Sequence, residues 1–423
     1  MPYRKFVFLF VLLVCHVAAA ENRIAIKAGR LIDVRTGNVK NNAVILVEGD
    51  RIQSIGDSVP PEASVIDLSN YTVLPGLIDC HTHLLFNWKD LSASQGLRIS
   101  SAQGTLWGLH NVQTYIGKGF TTIRDAGESD QGYGQFALRD SIQSGLIKGP
   151  RMRCAGNFIS ITGGHGDADI LSSQQALPRR PNIADTVDEV ARAVRHDLKY
   201  GADWIKLMAT GGVMDPWSDY HFQELSDDQM MKAVEVTHRA GRKVMAHAEG
   251  TTGIKAAVRA GVDSIEHGIM LDEEGAKLMS EKGIWLVPTL YTFQEGMDKD
   301  QPFGGMDPIM FQKGKEILKY QKPAFELALK YHLKIGFGFD NDPEKVDHEF
   351  GALVHGGMTS LQALQTATLN NSQLLGMQDQ IGTIEPGKFA DIIAVEGDPL
   401  PDVNVMEHVV FVMKAGEVFK SPK

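Results

Sequence analysis

The sequence predicts an α/β protein, a (β/α)8 TIM barrel with a small β-sandwich domain built from both termini. Three observations carry this. Strand-like segments alternate with amphipathic helix-like ones through the middle of the chain, the pattern of a parallel sheet covered by helices. Short alternating β runs occupy both ends, and residues suited to metal chemistry stand where the middle strands finish.

Eight segments read as barrel strands: 76–83, 120–126, 151–157, 203–209, 243–248, 263–267, 285–290 and 334–340. Eight is the number that closes such a barrel. Amphipathic stretches fill the gaps, for instance 186–200, 226–240, 252–260 and 272–282, and Ser226 with Gln229 three residues later makes a capping box. Long irregular stretches at 87–103, 159–184, 212–224 and 292–311 follow strands, and in a barrel such loops build the active face. The β runs near the termini, such as Ala43-Val44-Ile45-Leu46-Val47 and His408-Val409-Val410-Phe411-Val412-Met413, are too short to make separate cores. They are assigned to one sandwich spanning 21–74 and 376–423, with the barrel at 75–375.

The chain has 423 residues, enough for one barrel of about 250 residues and a smaller appendage. With 43% hydrophobic and 22% charged residues it has the composition of an ordinary globular enzyme. Residues 1–20 read as a secretory signal peptide: Arg4 and Lys5, an apolar run too short to span a membrane, then Ala18-Ala19-Ala20. Export to the periplasm or exterior is therefore expected, with no membrane partner after cleavage. Removing that segment takes the formal net charge from −10 to about −12, which excludes nucleic acid as a natural partner. Cys80 and Cys154 then remain, too few for a disulfide framework.

The chemistry is concentrated at strand ends. Alternation puts His81 and His83 on one face of the first barrel strand, half of a metal site or two satisfied core histidines. Lys206, His247, His267 and Asp340 lie on or at the ends of four further strands, at the rim where barrel enzymes carry catalytic groups. A buried Lys206 is either an ion-paired lysine beside one metal or a neutral amine that has added carbon dioxide, giving a bridging carbamate. The residues alone leave both open. His165 sits in a glycine-rich loop, and Tyr220 and His221 in the loop after the Lys206 strand.

The stretch Pro75-Gly76-Leu77-Ile78-Asp79-Cys80-His81-Thr82-His83, the residues Lys206, His247, His267 and Asp340, and the tail from Gly382 to Ile392 together resemble the amidohydrolase superfamily, metal-dependent hydrolases with a binuclear centre in a (β/α)8 barrel. The resemblance implies that His81, His83 and Asp340 hold one ion, His247 and His267 a second, and a carbamate on Lys206 bridges them. Two divalent ions, zinc first, are the implied cofactors. Thr162-Gly163-Gly164-His165-Gly166-Asp167 and the surroundings of Lys206, His247 and His267 look most like the imidazolonepropionase-like dipeptidases. That group implies cleavage of Xaa-Pro or Xaa-Arg/Lys dipeptides or N-acyl amino acids by a hydroxide shared between the ions, with relatives that open the amide of ochratoxin.

In that reading Asp340 is the general base turned acid, His165 donates to the substrate carbonyl, and Tyr220 and His221 hold a free carboxylate. The same metals suit cyclic amides, lactones and esters, which stand as alternatives. A catalytically silent barrel acting as a binding protein is the non-enzymatic alternative, and the full ligand set argues against it. Association into a homo-oligomer through side surfaces is a further expectation.

Overall fold

The computed structural model describes residues 23–175, 177–297 and 299–422; the expected signal peptide lies outside them. The chain opens with β1 (Arg23–Ile32), β2 (Val39–Glu48), β3 (Arg51–Gly56) and β4 (Ser64–Pro75). The middle carries β5 (Leu77–Thr82), β6 (Phe120–Asp125), β7 (Arg151–Ile159), β8 (Trp204–Met208), β9 (Lys243–Ala248), β10 (Ser264–His267), β11 (Trp285–Val287) and β12 (Lys334–Ile335). It ends with β13 (Ile392–Val395), β14 (Val409–Lys414) and β15 (Glu417–Lys420).

Strands β5 to β12 form one eight-stranded parallel sheet in chain order. The sheet curls until its edges meet: Cys80 N–H donates to Phe337 O at 2.9 Å, and Asp340 N–H to His81 O at 2.9 Å. Every expected strand is present, but the last two are shorter. After β11 the chain turns at Thr289, whose φ is +46°, and β12 pairs over two residues only. Beyond it Gly336 and Gly338 run close to their neighbours. A Cβ on Gly338 would come within 2.3 Å of Val287 Cγ1 and 2.7 Å of the His81 Cβ, so only glycine fits at the seam.

The helices between strands cover the sheet as their sequence pattern requires. Val187–Tyr200 and Asp227–Arg239 begin with capping boxes, Thr186 with Glu189 and Ser226 with Gln229, and each packs its apolar stripe inward.

The termini differ from the expected sandwich. Their strands form one seven-stranded sheet in the order β15-β14-β13-β4-β1-β2-β3, not two facing sheets. The reason is β4, which pairs in parallel with β1 and antiparallel with β13 and so joins both ends of the chain in one ladder. The sheet bends round a core that includes Ile26, Ile45, Leu68, Val73, Ile392 and Phe411, and its far edge returns to the chain before β13 through Ile52 N–H to Lys388 O at 2.9 Å.

Asn371 tests the barrel seam. Its buried side-chain amide donates to Ile78 O at 2.7 Å and to Phe337 O at 2.8 Å, bridging the two edges. Asn371→Ala is expected to cost about 2 kcal/mol or more, the loss of two buried hydrogen bonds, read as a lower urea midpoint with an unchanged slope.

Candidate metal centre

Alternation along β5 turns His81 into the barrel, and His83 follows at the rim. His267 and Asp340 reach the same space by a different route. Both have left-handed backbone, φ +69° and +57°, uncommon for residues with a Cβ. On β10 the inward position belongs to Glu266, so strict alternation would send His267 outward; the backbone turn brings it back.

The result is a chain of imidazoles. The His81 ring lies 5.3 Å from His83 and 4.9 Å from His267, His267 lies 4.8 Å from His247, and His247 lies 4.5 Å from His165. Asp340 sits among them, with Oδ1 3.4 Å from His83 Nε2 and 3.9 Å from His81 Nε2, and Oδ2 4.0 Å from His267 Nε2. Lys206 Nζ is 3.5 Å from His81 Nε2. One ligand atom each from His81, His267 and Asp340 lie within 4.8 Å of one another, so this group spans both sets of residues expected to hold ions.

Each ring is anchored through its other nitrogen. His81 Nδ1 faces Glu266 Oε2 at 2.7 Å, His83 Nδ1 faces Gly127 O at 2.6 Å, and His267 Nδ1 faces Thr289 Oγ1 at 2.8 Å. With Nδ1–H donated to these oxygens, each Nε2 lone pair points at the shared space. His247 is reversed: its Nε2 faces Gly211 O at 3.1 Å, leaving Nδ1 as the donor atom.

The partner of His81 is itself held in a fully buried network. Arg124 reaches Glu266 with Nη2 at 2.9 and 3.0 Å, donates through Nε to Cys80 O at 2.6 Å, and lies over the Trp204 ring at 4.5 Å. Ser264 Oγ adds a bond to Glu266 Oε1 at 2.5 Å.

Burial sets the protonation states. It pushes the His83 imidazole down to about 3 and those of His81, His247 and His267 well below the usual histidine range, so all four are neutral at neutral pH. Burial also lowers the Lys206 amine to about 8, against the opposing pull of Glu266 and Asp340. It raises the Asp340 carboxyl to about 7, with Lys206 pulling the other way. Neutral imidazoles with free lone pairs, a carboxylate and an amine that readily loses its proton are a donor set that fits divalent metal ions.

This group opens into a cavity of about 510 Å³ lined by His83, Lys206, His247, His267, Asp340 and His165, among others. His165 Nδ1 is bonded to Asp215 Oδ2 at 2.5 Å, and Asp215 also accepts from Ser218 Oγ at 2.5 Å. Tyr220 and His221, expected to hold a substrate carboxylate, fall elsewhere. Tyr220 is buried with Val213, Ile269, Phe293 and Ile317, while His221 stacks on it at 4.2 Å, is exposed and bonds Asp219; neither lines the cavity. Their loop turns Tyr220 under the rim and leaves His221 at the surface.

His348 lies against Tyr291 and Glu407, away from the cavity. Asp125 and Glu128 are buried side by side, with Asp125 raised to about 7 by burial, so they are not solvated charges. Cys80 and Cys154 are free and buried.

Sequence reasoning missed Arg124, Glu266 and Asp215. Glu266, polar and inward on a barrel strand immediately before a candidate ligand, was the available signal; Arg124 and Asp215 gave none above their neighbours.

Neutral imidazoles gathered round a carboxylate at the mouth of a parallel α/β barrel fit a metal-dependent hydrolase, and the relatives of the chain make it one acting on amide bonds. The chain belongs to the amidohydrolase family, whose model matches residues 72–419. It is 32% identical to ochratoxinase of Aspergillus niger over 95% of this chain and 88% of that protein. Among solved structures it is similar to a Xaa-Pro dipeptidase with bound methionine in the active site, at 32% identity and TM-score 0.88 over 94% of this chain and 100% of that one. A prolidase complexed with N-methylphosphonate-L-proline aligns at 30% identity and TM-score 0.87 over 94% and 100%.

Glu266→Gln keeps the shape of the His81 partner and removes its charge. The expected outcome is a metal affinity weaker by roughly 10- to 100-fold, measured by competition with a chromophoric chelator. Unchanged affinity would remove Glu266 from the support of His81.

Proposed function

We propose that the protein is an amide hydrolase cleaving dipeptides or N-acyl amino acids, of the Xaa-Pro or Xaa-Arg/Lys dipeptidase type. The observation that carries this is the similarity, over nearly the whole of both chains, to a solved Xaa-Pro dipeptidase. In this reading His81, His83 and Asp340 would hold one divalent ion and His247 and His267 a second, with a carbamate on Lys206 as a further anionic ligand. The lowered Lys206 amine supports this, because only the neutral amine adds carbon dioxide. Zinc suits the imidazole and carboxylate donors.

When bound, such ions polarise the scissile carbonyl and lower the pKa of water towards neutrality. The chain's own groups do the rest. Asp340 accepts the proton of the attacking water and delivers it to the departing amine nitrogen. His165, its Nδ1–H held by Asp215, faces the carbonyl oxygen with Nε2, which donates to the negative charge developing there when the ring carries both protons. The buried walls exclude water from the developing charges. Export through the 1–20 segment belongs to the same proposal and rests on its sequence pattern.

The similarity to ochratoxinase favours a second reading, hydrolysis of a xenobiotic amide by the same groups.

A library of dipeptides and N-acyl amino acids, assayed with ninhydrin after zinc loading, is expected to reveal cleavage that a chelator abolishes and zinc restores. Asp340→Asn is expected to keep the fold and lower kcat by at least about 100-fold, as for loss of a general acid–base. Turnover of lactones with no cleavage across the library would overturn the assignment.

A further inference from the structure

One charged side chain beside the site takes no part in the chemistry proposed above. Lys313 stands on the helix Pro308–Lys330, in sequence like any solvated helix lysine, yet its side chain is only 12% exposed. Its Nζ donates to Gly212 O at 3.0 Å, Asp215 O at 2.6 Å and Ser218 O at 2.5 Å. An ammonium has three N–H donors, and all three are spent on one loop. The Asp215 carboxylate adds its charge nearby, with Oδ1 3.6 Å from Nζ.

That loop follows β8 and has neither helix nor strand between 212 and 218. Gly212, Asp215 and Ser218 are all buried, and buried carbonyls need partners. Three of them with their negative ends together repel one another unless a cation sits among them. The loop's internal bonds use its N–H groups instead: Trp217 and Ser218 donate to Asp215 Oδ1 at 2.9 and 2.6 Å, and Gly212 to Ser218 Oγ at 3.0 Å. The carbonyls are left to Lys313.

Two members of this loop touch the His165 ring. Asp215 Oδ2 holds Nδ1 at 2.5 Å, and Gly212 passes so close that a Cβ there would lie 2.4 Å from the ring's Nε2 and Cε1. The His165 backbone is fixed separately, by its N–H to both oxygens of Glu224 at 2.9 and 3.0 Å. The place of the ring, unlike that of the backbone, therefore depends on the loop that Lys313 ties down. His165 and Asp215 line the cavity, and Lys313 stands behind them.

We propose that Lys313 is a positioning residue: its ammonium is the cation on which the loop after β8 is folded, and through Gly212 and Asp215 it sets the direction in which His165 faces the substrate carbonyl. The proposal rests on the role given to His165 above and extends it to a residue that touches no substrate.

Lys313→Ala removes the cation and leaves room for n-propylammonium, the part of the side chain that is lost, while Lys313→Met keeps the stem and fills the space without charge. In the zinc-loaded enzyme both variants are expected to lower kcat for L-alanyl-L-proline by about tenfold or more with KM within about threefold, since a displaced donor loses much of what an oxyanion contact supplies. Added n-propylammonium is expected to restore most of kcat in Lys313→Ala, whereas n-propanol does not, and Lys313→Met responds to neither. A kcat within about twofold of the unsubstituted enzyme in both variants overturns the proposal. Equal rescue by n-propanol also overturns it, because packing and not charge is then the cause.

Proton NMR of the zinc-loaded protein reads the ring without turnover. The short bond from His165 Nδ1–H to Asp215 gives a downfield ring N–H signal, identified by its loss in His165→Gln. The signal is expected to shift or vanish in Lys313→Ala and Lys313→Met, and to return in Lys313→Ala with n-propylammonium. That result with no cleavage of alanylproline or of the dipeptide library supports the positioning role and refutes the dipeptidase reading alone. A signal unmoved in both variants refutes the positioning role, whatever the enzyme cleaves.

Discussion

A charge balance inside the barrel governs the rest of the site. Glu266 lies fully buried among neutral rings, and Arg124, equally buried, supplies the opposite charge and two hydrogen bonds. Without Arg124 the carboxylate would be an uncompensated buried ion, a penalty of about 3–5 kcal/mol in comparable pairs. With it, Glu266 can accept from His81 and fix which nitrogen of that ring faces the cavity. The cation is held in turn by the Cys80 carbonyl on the same strand as His81. The orientation of the first candidate ligand and the neutrality of the barrel floor are thus one arrangement.

The same economy runs through the other rings. His83, His247 and His267 are, like His81, kept neutral by burial, and a neighbour takes the second nitrogen of each, a backbone carbonyl for His83 and His247 and a hydroxyl for His267. Such an array is preorganised, since rotating any ring would leave a buried polar group without its partner. The strained backbone at His267 and Asp340 belongs to this logic. Left-handed conformations cost about 1–3 kcal/mol and persist where surrounding structure fixes them, which at the barrel rim is done by the hydrogen bond from Asp340 N to His81 O.

Much of this was legible in the chain itself. The eight barrel strands and the Ser226 capping box follow from period and composition, because a parallel sheet buried on both faces must be written in apolar runs. His81, His83, Lys206, His247, His267 and Asp340 were visible as polar residues at the ends of such runs, and the structure brings all six to one place. Three things were not legible. The left-handed turns at His267 and Asp340 contradict simple alternation, so their direction depends on neighbouring strands. Arg124 looks in sequence like any strand arginine, and its role exists only once Glu266 lies opposite it. Tyr220 and His221 occupy the right loop, yet where a loop side chain points is decided by tertiary packing, which here draws Tyr220 beneath the rim.

The single sheet built from both termini has a consequence for how the molecule comes into being. Pro75, the last residue of β4, pairs with Ile392, so one edge of β4 has no partner until nearly the entire chain has been synthesised. A barrel can begin to assemble from successive strand–helix units, but its N-terminal support must wait with an open strand edge, a state prone to pairing with other chains. Contacts so distant in sequence make late steps slow. The closing of this sheet is therefore the event that converts a growing barrel into a finished protein, and a truncated chain lacking β13 would keep its aggregation-prone edge permanently exposed.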